Sequence, residues 1–151
     1  MPIVFPNQDV VPEKYRDLWV SHSQNANAPI LDKDAVDAIG HHYQPDASSP
    51  SYSPFNSKTP HKSLPPTYVS VCGLDPLRDD GLIYEQVLKD NGVKTRLDVW
   101  PGVPHAHFAF LPFLSASKKA LLDTFLGFGW LLNIDISPQK VQEVMVAPAA
   151  G

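Results

Sequence analysis

Residues 66–74 read PTYVSVCGL, and residues 75–81 follow as DPLRDDG. The first run is apolar and β-branched and ends at an Asp-Pro step, which predicts a strand leading into an acidic turn. Residues 79–91 carry the helix period, with Leu82, Ile83, Val87 and Leu88 facing inward. Asp79 or Asp80 is the expected cap, and Asn91-Gly92 supplies a left-handed stop. Residues 94–100 (KTRLDVW) then alternate, Thr95, Leu97 and Val99 opposite Lys94, Arg96 and Asp98, which predicts a second strand with one wet face. A loop of Pro101-Gly102-Val103-Pro104 leads to His105. Strand, helix, strand in succession implies parallel pairing. Asp75 and His105 are therefore expected at neighbouring carboxyl ends of one sheet, where open α/β sheets place their chemistry.

Working outward, residues 1–5 (MPIVF) predict a short buried strand. Residues 13–21 predict a helical turn, with Tyr15, Leu18 and Trp19 at i, i+3, i+4. Residues 32–43 predict a short helix capped by Asp32, with Val36 and Ile39 as a thin apolar stripe. Residues 44–64 are rich in serine and proline, a linker by composition, although Pro50, Pro54 and Phe55 suit a loop laid on the surface. Ser115 to Leu132 predicts a long helix, capped by Ser115 or Ser117, with Leu121, Leu122, Phe125, Leu126 and Trp130 as its apolar face. Gly127 and Gly129 would let that helix approach the sheet closely. The fold class is α/β, with about three parallel strands, flanking helices and a long Ser/Pro-rich loop. Residues 1–132 make the domain portion and residues 133–151 an irregular tail.

The 151 residues are one domain's worth of chain, and 43% hydrophobic with 19% charged residues is an ordinary globular balance. A net charge of -4 argues against nucleic acid, which calls for a basic stripe. No run is long and apolar enough for a membrane span, and residues 1–16 do not read as a secretory signal. Cys72 is the single cysteine, read as a small buried hydrophobe in a strand, which suits a reducing compartment and a cytoplasmic protein. The 16 prolines cluster in connections, suggesting shaped loops on a folded scaffold.

Asp75 is the first candidate for chemistry, although an Asp before Pro is commonly only a turn former. Asp79 and Asp80 read as helix N-terminal carboxylates, and Arg78 as a surface partner for either. His105 is the second candidate, because an Asp that holds an imidazole tautomer is how hydrolytic triads orient their base. His107 competes: on an extended segment His-x-His puts both rings on one face. With no further ligand at suggestive spacing, neither a metal nor a cofactor is expected. His41-His42 reads as a polar helix end and His61 as a loop residue. No serine sits in Gly-x-Ser-x-Gly, and no glycine-rich oxyanion loop occurs. An Asp–His pair without them could only activate water, help worth about 10²–10⁴-fold.

The run Gly73-Leu74-Asp75-Pro76-Leu77-Arg78-Asp79-Asp80-Gly81 resembles the hormone-sensitive-lipase family of α/β-hydrolases, also called fold-3, which are carboxylesterases and lipases. Their acid lies in a DPLRD-type motif and their histidine in a G-x-x-H-G-F segment about 30 residues later. Gly102-Val103-Pro104-His105 is similar to that segment, with Ala106-His107 where the family usually has Gly-Phe. Ser49-Pro50 and Ser53-Pro54 resemble the family's SP-containing loops. The resemblance implies a partial α/β-hydrolase fold, Asp75 as catalytic acid, His105 as general base and a small-molecule ester as substrate. It covers only the family's C-terminal half, so the nucleophile serine and the His-Gly-Gly-Gly loop are expected before Met1.

Three functions follow as expectations. The first is a carboxylic-ester hydrolase completed by an N-terminal half. The second is an inactive binding protein that forms a homo-oligomer or joins another chain. The third is an Asp–His dyad doing proton transfer, such as isomerisation or cyclisation, without an acyl intermediate.

Overall fold

The structure is a computed structural model that describes residues 8–46, 48–58 and 61–146. The expected strand at residues 1–5 lies outside them. The chain divides into two compact units, one ending at His105 and the other beginning at Ala106.

In the first unit, 3-10 turns at Gln8–Val10 and Glu13–Leu18 precede α1 (Ser21–Gln24) and α2 (Lys33–Tyr43). Asp32 caps α2 by accepting from the Ala35 amide at 2.7 Å, as its position before the apolar stripe predicts. The Ser/Pro-rich segment folds on the unit rather than linking two bodies. Ser53 is buried within it, and Phe55 stacks edge-on against Tyr84 at 5.8 Å. β1 (Thr67–Leu74), α3 (Arg78–Asp90) and β2 (Thr95–Pro104) then form a strand–helix–strand unit. The two strands pair in parallel, from Thr67 opposite Thr95 to Cys72 opposite Trp100.

α3 is the centre of the core. Ile83 and Val87 pack with Val11 and Tyr15, while Tyr84 and Leu88 pack with Val93. Gly81 lets the helix lie against β1, since a Cβ there would stand 2.6 Å from Val71 Cγ1. Two expectations are corrected here. The cap position of α3 is Leu77, with no side-chain cap, because Asp79 and Asp80 are both buried and turned to other partners. The alternation of β2 does not make one buried face: Val99 is 45% exposed and Trp100 is buried. With two strands in the described sheet, burial along β2 follows local cover rather than the pleat, and Trp100 Nε1 donates to Ser70 Oγ at 3.0 Å.

After Cys72 the register slips, and Leu74 pairs with Pro104. The extra residues of β2 form a bulge in which Gly102 takes φ +72°. The bulge presses on Gly73, where a Cβ would meet Gly102 N at 3.0 Å and Pro101 Cα at 3.1 Å. Bulges re-aim a chain. This one carries β2 four residues beyond the predicted end, to the position from which His105 projects.

The second unit holds α4 (His107–Phe110), α5 (Ser115–Leu132) and α6 (Pro138–Val146). α5 has the predicted bounds, but Leu114 is its cap residue and Ser117 is buried. Its fully buried residues are small, Ser117, Ala120, Gly127 and Gly129; of the expected apolar face Leu122, Leu126 and Trp130 are half-buried, whereas Leu121 and Phe125 are exposed, as are Phe128 and Leu132. Gly129 makes room within its own unit. A Cβ there would come within 2.9 Å of Ile134 O and of the Ile136 side chain, because the chain folds back on itself after the helix. Asn133 is left-handed at φ 54°, and the Ile134 amide donates to Gly129 O at 2.9 Å, a Schellman end. The tail expected to be irregular contains α6, which buries Val141. Its nine residues are too few for a clear period in the sequence.

Candidate active site

Asp75 stands one residue past β1 and is 7% exposed. Its two carboxylate oxygens do different work. Oδ1 accepts from the Leu77 amide at 2.9 Å and closes the Asp-Pro turn, while Oδ2 lies 2.7 Å from His105 Nδ1. Closing the turn with one oxygen thus leaves the other free to meet the imidazole. His105 stands one residue past β2, with its side chain 37% exposed. The hydrogen bond to Asp75 raises its pKa above the ordinary histidine value, against the lowering effect of partial burial. A carboxylate on Nδ1 fixes the tautomer in which Nδ1–H donates and leaves Nε2 as the basic nitrogen. The pair lines a cleft of ≈ 310 Å³ with Ser70, Cys72, Arg78 and Tyr84.

The acid turn is held on its far side by residues that the sequence does not single out. Asn25 Nδ2 donates to the carbonyls of Gly73 (3.2 Å) and Asp75 (2.9 Å), and Ser21 Oγ donates to Pro76 O at 2.6 Å. Asp79 Oδ2 accepts from the amides of Val20 (2.8 Å) and Ser21 (2.6 Å), and Trp19 Nε1 donates to Asp80 Oδ2 at 3.1 Å. Both acids thus anchor the 19–21 segment rather than capping a helix. Arg78 pairs with Asp79 at 2.7 Å and also reaches Gln24, a largely buried bridge rather than a surface pair.

The other histidines go elsewhere. Ala106 is left-handed at φ 49° and α4 begins at His107, so residues 105–107 are not the extended His-x-His segment expected. His107 is fully buried, with Nδ1 2.9 Å from Ser117 Oγ, and burial pushes its pKa down. His61 opens a 3-10 turn in the connection before β1 and lies edge-on to Phe55 and Tyr84. His41 and His42 end α2 on the exposed surface. Among the described residues, no three His, Cys, Asp or Glu side chains gather as a metal site.

The profile of the family described as alpha/beta hydrolase fold matches residues 3–109. The chain belongs to the α/β-hydrolase fold. It is 42% identical over 113 residues to an AB hydrolase superfamily protein of Schizosaccharomyces pombe, covering 75% of itself and 33% of that protein. It is 35% identical over 126 residues to the versiconal hemiacetal acetate esterase of Dothistroma septosporum, covering 83% of itself and 38% of that esterase. The crystal structure of vibralactone cyclase superposes with a TM-score of 0.79 at 35% identity, over 87% of this chain and 38% of the cyclase. The chain thus spans between a third and two fifths of the length of these relatives. Among the described residues no helix is long and apolar enough to cross a membrane.

Proposed function

We propose that this chain carries the acid and the base of a Ser-His-Asp carboxylic-ester hydrolase, with Asp75 orienting His105 and His105 Nε2 taking the proton of a nucleophile supplied by other sequence. The observation that carries this reading is the 2.7 Å contact of Asp75 Oδ2 with His105 Nδ1 at neighbouring carboxyl ends of two parallel strands. In this fold the triad runs Ser, Asp, His along the chain, so the serine and its oxyanion donors belong upstream of β1. No Gly-x-Ser-x-Gly occurs in these 151 residues. The relatives named as esterases support a small ester as substrate. The single cysteine supports a reducing compartment, the cytoplasm.

A second reading, an interaction protein, is favoured by the exposed apolar stripe of α5, Leu121, Phe125, Phe128 and Leu132. Such a stripe suits cover by further polypeptide, either a second copy or the complementary half of the hydrolase. A cyclase among the relatives keeps the third reading, an Asp–His dyad in a cyclisation, within the same geometry.

The test is hydrolysis of a short-chain nitrophenyl ester by the purified chain, alone and combined with the nucleophile-bearing N-terminal portion of a relative. Hydrolysis is expected only in combination. His105→Ala or Asp75→Asn should then lower it by about 10⁴-fold, the scale seen when a triad loses its correctly held imidazole. Undiminished hydrolysis in His105→Ala overturns the reading.

A further inference from the structure

Two local bonds hold Asp75: the Leu77 amide donates to its Oδ1 at 2.9 Å and the Arg78 amide to its carbonyl at 3.1 Å. A further restraint comes from 50 positions upstream. Asn25 follows α1 directly, is 9% exposed, and places its side-chain nitrogen on the carbonyls of Gly73 and Asp75. Both carbonyls can only accept, so the NH₂ end of the amide must face them, and each of its two hydrogens has one partner. The amide therefore straddles Leu74 and pins the backbone of the acid itself. The segment that carries Asn25 is in turn tied to the far side of the turn. Ser21 bonds Pro76 O, and Asp79 collects the Val20 and Ser21 amides. A hydrogen bond of 2.7 Å tolerates little drift, and a displacement of about 1 Å at a reacting group is enough to cost activity.

We propose that Asn25 is a positioning residue for the acid–base pair: its amide, bonded to the Gly73 and Asp75 carbonyls, holds the Asp75 carboxylate on His105 Nδ1. The proposal rests on the reading of Asp75 and His105 as the working pair, but it is tested without any hydrolysis. The His105 ring proton is followed by NMR across a pH titration of the full chain. Asp75→Ala should bring the His105 pKa down, and Asn25→Ala should bring it down in the same direction while the amide spectrum stays dispersed. Gln24→Ala, which removes only the Arg78 contact, should leave the titration where it was. The double variant Asn25→Ala/Asp75→Ala should move His105 no further than Asp75→Ala alone. A titration that answers to Asp75→Ala but not to Asn25→Ala overturns the positioning role alone. One that ignores both overturns the pairing beneath it. If Asn25→Ala does not fold, hydrogen exchange of the Asn25 side-chain amide in the parent decides. Slow exchange is expected, and exchange at the rate of a free amide overturns the proposal.

Discussion

His105 and Asp75 lie 30 positions apart in the chain and meet at 2.7 Å, whereas His107, two residues further on, is buried against Ser117. Two neighbouring histidines are thus shifted in opposite directions, one raised by a carboxylate and one lowered by burial.

These shifts predict a stability profile with losses on both sides. A raised folded pKa means that the stabilising contribution of His105 is fully present below its unfolded value and is lost as pH rises through the folded one. His107 has the reverse sign: its contribution is present above the unfolded value and is lost as pH falls through the lowered folded one. Urea midpoints at about pH 5, 7 and 9 read both. His105→Gln should remove part of the decline on the alkaline side and His107→Gln part of the decline on the acid side. The His105 effect should be small, because its side chain is more than a third exposed and solvent screens the pair. Equal profiles in parent and both variants would show that neither histidine is coupled to folding.

The parts of this fold legible in the sequence are those set by neighbours along the chain. The run before Asp75, the period of α3 and the stop at Asn91-Gly92 are local signals, and each element falls within a few residues of its expected place. That Asp75 and His105 meet is legible because β1 and β2 end side by side. Ser21 and Asn25 are not, since their bonds to the acid turn span some 50 residues and neither residue type is distinctive. Asp79 and Asp80 mislead because carboxylates at a helix start are ordinarily solvated, and only the fold shows the 19–21 segment laid over them. Leu121 and Phe125, exposed members of the expected α5 face, mislead for another reason. A helix apolar on nearly every side carries little directional signal, and its small residues decide which side goes in.

Gly81 makes a prediction on how closely α3 lies on β1. A methyl group at this position would stand 2.6 Å from Val71 Cγ1, and both residues belong to rigid elements. Gly81→Ala should therefore cost about 1–3 kcal/mol despite its gain in helix propensity, because overpacking outweighs propensity at that distance. Val71→Ala removes the opposing methyl groups. In the double variant the cost of Gly81→Ala should largely vanish, giving a coupling of about 1 kcal/mol or more in urea unfolding. Additive costs would show that Val71 is not what Gly81 makes room for.

Gly73 and Gly102 make opposite predictions although both serve the bulge that leads to His105. Gly102 has φ +72° and open space where a Cβ would stand, so only its backbone conformation is demanding. Asn tolerates the left-handed region, and Gly102→Asn should be mild, whereas Gly102→Val should cost at least about 1–2 kcal/mol. Gly73 has no positive φ, but a Cβ would meet Gly102 N, Pro101 Cα and Trp100 O at 3.0, 3.1 and 3.2 Å. All three are backbone atoms, so the bulge itself must move, and no choice of side chain avoids this. Gly73→Ala should therefore displace His105 from Asp75 and return its titration toward the ordinary histidine value, while Gly102→Asn leaves it raised. Urea midpoints and the His105 ring-proton titration measure both effects on the same samples. A raised His105 in Gly73→Ala would mean that the bulge can shift without disturbing the pair it delivers.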